Sequence, residues 1–205
     1  MIKFYSLILS IRVIILGTFI LMVIAGCSGS PRVNPDSVLS PPGTTTTVIM
    51  IRHAERAKEQ SNSALTPEGR QRALALVDAI GEKEITAIYS PDRGRNRETV
   101  RPLAAHLGVI ITLIPEARLS NTHRFADEFV QEILSKHAGE MVLWVGNKSP
   151  VGIWGGNLKE IYQRLGGPGD PPAKYDDLFI ITVPDQGAVK VEKTTYGNSA
   201  GRFDQ

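Results

Sequence analysis

Arg52-His53-Ala54-Glu55-Arg56 stands directly after the apolar run Thr47-Val48-Ile49-Met50-Ile51. A histidine among arginines can attack phosphorus through a ring nitrogen, giving a phosphohistidine that water then hydrolyses. Arginine suits the other half of that chemistry: its planar fork of donors matches phosphate oxygens and stays charged at physiological pH. A second segment, Ser90-Pro91-Asp92-Arg93-Gly94-Arg95-Asn96-Arg97-Glu98-Thr99, carries three more arginines at the start of a helical pattern. Cations there oppose the helix dipole, so Arg93, Arg95 and Arg97 cost stability unless an anion is held nearby. A third polar segment is Gly146-Asn147-Lys148-Ser149-Pro150. Simpler readings exist for each piece: His53 as a hydrogen-bonded core or surface residue, and the arginines as a solvated helix start. His106 and His137 fall in helical patterns and read as surface residues. His123, just before a helix, is within reach of a pocket but has no evident partner. Four scattered histidines and one cysteine give no metal-ligand spacing, so neither a metal nor a cofactor is expected.

These segments need a frame. Short runs rich in Val and Ile, bounded by turns, mark strands over Thr46–Ile51, Ile85–Tyr89, Val109–Leu113, Met141–Val145 and Leu178–Val183, each expected to be covered on both faces. Four helices lie between them. The first has Ala73, Leu76, Val77 and Ile80 on one face, with Thr66 as N-cap, Pro67 at the first helical position and Glu68 complementing the dipole. The second carries Val100, Leu103, Ala104 and Leu107 and stops at Gly108. The third places Phe125, Phe129, Ile133 and Leu134 on one side. The fourth starts at Ser149-Pro150 and carries Val151, Trp154, Leu158, Ile161 and Leu165. Strand–helix alternation at this spacing predicts a three-layer α/β/α domain with a mostly parallel central sheet. In such sheets ligands bind beyond the carboxyl ends of the strands, where all three polar segments begin.

The 205 residues divide into three parts: 1–26, 27–44 and a domain over 45–205. Lys3 and Arg12 precede an apolar stretch, Val13 to Gly26, with the length of a signal-peptide core. It ends in Ile24-Ala25-Gly26-Cys27, which resembles a bacterial lipobox with Cys27 as the lipidated residue; an uncleaved membrane anchor is the alternative. Both readings put the body at a membrane of the cell envelope, and Ser28 favours the periplasmic side of an outer membrane. The Pro/Ser/Gly-rich segment 28–44 reads as a linker whose extended length is about 55 Å. Lys3 and Arg12 are also two of the 23 basic residues, so after Gly26 there are 21 basic and 21 acidic side chains. A body balanced to zero argues against nucleic acid as a partner.

Together the motifs are more specific than any one of them. Arg52-His53-Ala54-Glu55 resembles the signature of the histidine phosphatase (phosphoglycerate mutase-like) superfamily. Leu65-Thr66-Pro67-Glu68-Gly69 is similar to the opening of that family's first helix, and Tyr89-Ser90 through Thr99 to its second arginine segment. Tyr175-Asp176-Asp177-Leu178 and Tyr196-Gly197 resemble a small single-domain branch. The resemblance spans roughly residues 45–197. It implies His53 as the phosphate-accepting nucleophile and Arg52 and Arg95 as phosphoryl ligands, with Glu55 orienting a neighbour and Arg93 and Lys148 in support. Its implied partners are phosphorylated small molecules or phosphoproteins. One position departs: a second catalytic histidine follows the fourth strand in the family, and here Asn147 stands there. Asparagine donates hydrogen bonds but cannot be protonated. Losing such a charge-assisted contact costs about 100–1,000-fold in rate. Glu116, Asp127 and Glu128 lie in the region where larger relatives keep a catalytic acid. Two readings therefore stand, a weak or specialised phosphomonoesterase and a tethered pseudophosphatase that binds without turnover; a purely structural envelope lipoprotein is a third.

Overall fold

The computed structural model describes residues 38–58, 63–148 and 156–198. Six strands form one sheet in the order β3-β2-β4-β1-β5-β6. They are β1 (Thr45–Arg52), β2 (Ile85–Pro91), β3 (Ile111–Ile114), β4 (Met141–Gly146), β5 (Asp177–Pro184) and β6 (Lys190–Thr195). The pairs β2–β3, β2–β4 and β1–β4 are parallel, whereas β1–β5 and β5–β6 are antiparallel. The fold is thus α/β with a mixed central sheet, parallel through its functional half.

Strand periodicity builds the two cores. In β1, Val48 and Met50 face a layer containing Phe125, Phe129, Trp144, Leu158 and Ile161, while Ile49 and Ile51 face Leu76, Ile80, Val100 and Leu103 on the other side. The second layer is α1 (Pro67–Ile80) and α2 (Gly94–Leu107); the first is α4 (Thr122–Lys136) and α5 (Asn157–Arg164), with the short α3 (Glu116–Leu119) before α4. Thr66 caps α1 by accepting from Gly69 N at 3.1 Å, and Gly108 ends α2 in the left-handed region at φ 67°. The expected start of the fourth helix at Ser149-Pro150, with Val151 and Trp154, lies outside the described residues. Its described part begins at Asn157 and buries Leu158, Ile161 and Tyr162.

Several expectations are revised. The third strand is shifted to Ile111–Ile114 and is an edge strand, not one covered on both faces: Thr112 and Leu113 are exposed and Ile110 is 87 % exposed. β6 went unrecognised because Lys190-Val191-Glu192-Lys193-Thr194-Thr195 is polar, as a solvated edge strand should be. His137 is buried rather than on the surface. It continues the Phe129–Ile133 stripe at i+4 spacing, and its Nε2 meets Tyr89 Oη at 2.7 Å while Nδ1 meets Glu140 Oε2 at 2.7 Å. Residues 38–44, the last part of the compositional linker, pack on β5: Ser40 N donates to Pro184 O at 2.9 Å and Ser40 Oγ to Val183 O at 2.6 Å.

Candidate active site

The carboxyl ends of β1, β4 and β2, adjacent in the sheet, deliver the three polar segments to one edge. The chain leaves β1, passes over the place of β4 to form β2 and β3, and returns to set β4 between β2 and β1, which makes the crevice here a topological switch point. His53 N donates to Gly146 O at 3.1 Å, fastening the first segment to the third. Asn96 Nδ2 donates to Val145 O and Gly146 O, both at 3.3 Å, fastening the second. Thr99 completes the lock by accepting from Ala54 N at 2.9 Å and donating to Arg95 O at 2.7 Å. Gly146 is required here, since a Cβ would come within 2.6 Å of Leu158 and Trp144 Nε1.

His53 is almost fully buried. Its Nδ1 lies 2.8 Å from Ala54 O, which can only accept, so Nδ1 carries the proton and Nε2 the lone pair. Burial lowers its pKa to about 3; the Ala54 carbonyl works in the opposite direction, and Arg95, Arg52 and Arg56 push it further down. The imidazole is therefore neutral at pH 7.

The arginines divide by partner. Arg97 pairs with Asp92, and Arg93 with Glu116 at 3.0 Å. Arg95 is buried in the first turn of α2 and donates from Nη2 to Asn147 Oδ1 at 2.9 Å. Burial, with Arg93 and Arg56 close by, brings its pKa down to about 10, as expected of a cation crowded by cations; Tyr175 and Glu116 act the other way. Arg52 donates from Nη1 to Ala173 O at 2.7 Å and lies 4.0 Å over the Tyr175 ring. The expected cost of three arginines at this helix start is thus met by carboxylates for Arg93 and Arg97, while Arg95 is the one buried beside Asn147.

Glu55 turns away from His53. Arg72 grips it through Nε at 2.9 and 3.0 Å and through Nη2 at 2.6 Å, and Arg72 Nη1 donates to Tyr196 O at 2.9 Å. Asn147 is buried, its N–H held by Asn157 Oδ1 at 2.8 Å. With its oxygen turned to Arg95, its NH₂ is the group left to face a ligand. A cavity of about 310 Å³ opens beside it, lined by Arg93, Glu116, Leu119, Ser120, Thr122, Asn147 and Asn157. Of the three acids considered, only Glu116 lines it; Asp127 pairs with Arg164 and Glu128 with Arg124. Lys148 is exposed. His123, within the first turn of α4, has a partner after all in Glu160, 2.9 Å away. Among the described residues no three His, Cys, Asp or Glu side chains converge on a common point. Arg56, Thr99, Asn157 and Tyr175 had no role assigned from sequence; for Thr99 the signal was its i+4 spacing from Arg95, and for the others only the fold reveals the contact.

This architecture sets a neutral histidine near several arginines at the switch point of an α/β sheet. A family model for the histidine phosphatase superfamily (branch 1) matches residues 48–167, and the chain belongs to that family. It is 37% identical over 81 residues to the probable phosphoglycerate mutase GpmB of Escherichia fergusonii, covering 36% of this chain and 38% of that one. It is 27% identical over 118 residues to the 8-oxo-(d)GTP phosphatase of Mycolicibacterium smegmatis, covering 53% and 37%. The chain thus spans under two fifths of the curated relatives it matches. Among solved structures, a mycobacterial glucosyl-3-phosphoglycerate phosphatase superposes with a TM-score of 0.54 at 12% identity, over 75% of this chain and all of that one. The protein histidine phosphatase SixA complexed with tungstate gives 0.51 at 13%, over 73% and 96%. Bacillus stearothermophilus YhfR gives 0.52 at 25%, over 71% and 95%.

Proposed function

We propose that this protein is a phosphomonoester hydrolase working through phospho-His53, with reduced turnover because Asn147 occupies the place of a second histidine. One observation carries the reading: His53 is neutral and bonded through Nδ1–H to Ala54 O, which leaves Nε2 unprotonated beside Arg52 and Arg95. In this reading Nε2 attacks phosphorus as the ester P–O bond breaks, and the leaving oxygen takes a proton from water in the cavity. A second water then attacks phosphorus, breaking the N–P bond to release inorganic phosphate and return the lone pair to Nε2. Arg52 and Arg95 bind the phosphoryl oxygens, and the NH₂ of Asn147 donates a neutral hydrogen bond where a cation would serve better. Glu116, on the cavity wall and paired with Arg93, is the one of the three acids near a leaving group seated there, and its carboxylate can orient the water that donates the proton. Glu55 acts at one remove, holding the His53 loop to α1 through Arg72. The relatives act on substrates as different as a nucleotide and a phosphohistidine protein, so both phosphorylated small molecules and phosphoproteins are candidates for this chain.

The second reading, a pseudophosphatase that binds phosphorylated ligands or a protein partner without turnover, is favoured by the Asn147–Arg95 hydrogen bond, which keeps an anion site assembled with no titratable group at position 147. An aryl phosphatase assay separates the two. Wild type is expected to hydrolyse slowly, His53→Ala to be inactive, and Asn147→His to be faster by about 100-fold. Wild type indistinguishable from His53→Ala, with Asn147→His active, sinks the hydrolase reading and leaves the binding module. We also propose that Cys27 is lipidated and holds the domain on the periplasmic side of the envelope, a reading supported by the apolar stretch behind Lys3 and Arg12 and by the residues before Cys27.

A further inference from the structure

Tyr175 belongs to a motif that neither the nucleophile nor the arginine clamp accounts for. It lies in the connection between α5 and β5, and that connection is fixed at its end. Asp177 Oδ2 accepts from Ala173 N at 2.7 Å and from Lys174 N at 2.8 Å. The carbonyl of Ala173 then accepts from Arg52 Nη1 at 2.7 Å. The next-but-one side chain, Tyr175, lies under the same guanidinium, its ring centroid 4.0 Å from Arg52 Cζ. Its ring also flanks the imidazole of His53, with centroids 5.7 Å apart and planes at 54°. One aromatic side chain therefore touches both members of the Arg52-His53 pair.

We infer that Tyr175 is a positioning residue of the phosphate site, holding the Arg52 guanidinium in the plane from which it meets a phosphoryl group beside His53. The inference rests on the reading of Arg52 as a phosphate ligand. A guanidinium stacked on a ring has one face covered, and its hydrogen bonds must leave through its edge. Ala173 O takes one edge donor and fixes the rotation within the plane. The guanidinium is thus held in one orientation before the ligand arrives, and ordering it then costs less affinity. The ring carries this role, not the hydroxyl, and it works through Arg52.

Calorimetry of inorganic phosphate binding to the full chain tests this, with wild type, Arg52→Ala, Tyr175→Ala, Tyr175→Leu, Tyr175→Phe and the Arg52→Ala/Tyr175→Ala double variant. Tyr175→Ala and Tyr175→Leu are expected to weaken binding about tenfold, while Tyr175→Phe stays within twofold of wild type. In the Arg52→Ala background, loss of the ring should change nothing further. Tyr175→Leu, which keeps bulk without the π face, serves if the alanine variant does not fold. Leucine binding as tightly as wild type overturns the proposal. So does a ring deletion whose effect is the same with and without Arg52, which is what a merely structural role produces. Wild type that binds no phosphate removes the phosphate-site reading itself, and the proposal with it; wild type that binds and weakens on Arg52→Ala but not on Tyr175→Leu removes only the role of Tyr175.

Discussion

His53 carries a stability signature as well as a chemical one. Its folded pKa, about 3, is far below its unfolded value of 6.5. Between those values the unfolded chain binds a proton that the folded chain refuses, so stability is complete above about pH 6.5 and falls as pH drops toward 3. At pH 5 the loss from this residue is about 2 kcal/mol. A His53→Gln variant, which cannot titrate, should therefore lose less stability than wild type between pH 7 and pH 5, by about that amount, in urea unfolding. Equal losses in the two proteins would mean the imidazole protonates normally in the folded state. Much of this residue's setting was legible in sequence: a histidine between arginines at the end of an apolar run. The direction of its titration was not, because that depends first on burial by the fold and then on Arg95, brought alongside by α2 from 42 positions away, which together outweigh the Ala54 carbonyl.

At the scale of elements, patterning identified what is repetitive and missed what is edge or contact. The unbroken apolar run Val48-Ile49-Met50-Ile51 follows from burying both faces of β1, the helical stripes of α1, α2 and α4 from burying one face against a neighbour, and both read plainly. β6 and the short α3 bury little, so their sequences carry no period, and the packing of Ser40 on β5 is held by hydrogen bonds rather than by a composition that could be recognised. The Gly69 of the Leu65–Gly69 motif has a contact reason: a Cβ there would stand 2.3 Å from Glu55 O, so α1 can approach the His53 loop only with glycine. That approach brings Arg72, 5 % exposed, onto Glu55 at 2.6 Å and onto the Tyr196 carbonyl. One buried guanidinium thus joins β1, α1 and the end of the domain. Arg72→Met strands the Glu55 carboxylate and should cost about 3 kcal/mol in urea unfolding, with part of it recovered by adding Glu55→Gln. A loss below 1 kcal/mol would show the link to be dispensable.

At the scale of the whole molecule, the proposed lipidation of Cys27 is what charge balance and chain length bear on. The 21 basic and 21 acidic side chains after Gly26 offer no net field to draw the domain to an anionic surface, so the proposed attachment would rest on a covalent or inserted group. Cys27 is the one cysteine in the chain, and the residues before it are small or apolar, as lipid attachment requires. Residues 38–44 pack on β5, and the ten residues 28–37 of the proposed tether would span at most about 33 Å. A domain so held can reach substrates only near its own membrane. A single acyl chain binds weakly and reversibly, so firm anchoring needs more than one. Cys27→Ser should therefore abolish incorporation of labelled fatty acid and accumulate an unprocessed precursor, heavier than the mature wild-type chain by its leader. Label that persists in the Cys27→Ser chain sinks the lipidation reading. A wild-type chain that sediments with membranes yet takes no label points instead to the apolar stretch Val13–Gly26 as an uncleaved anchor. The phosphatase assay run on wild type and Cys27→Ser in parallel then separates attachment from chemistry, since every residue of the proposed site lies at or after Arg52.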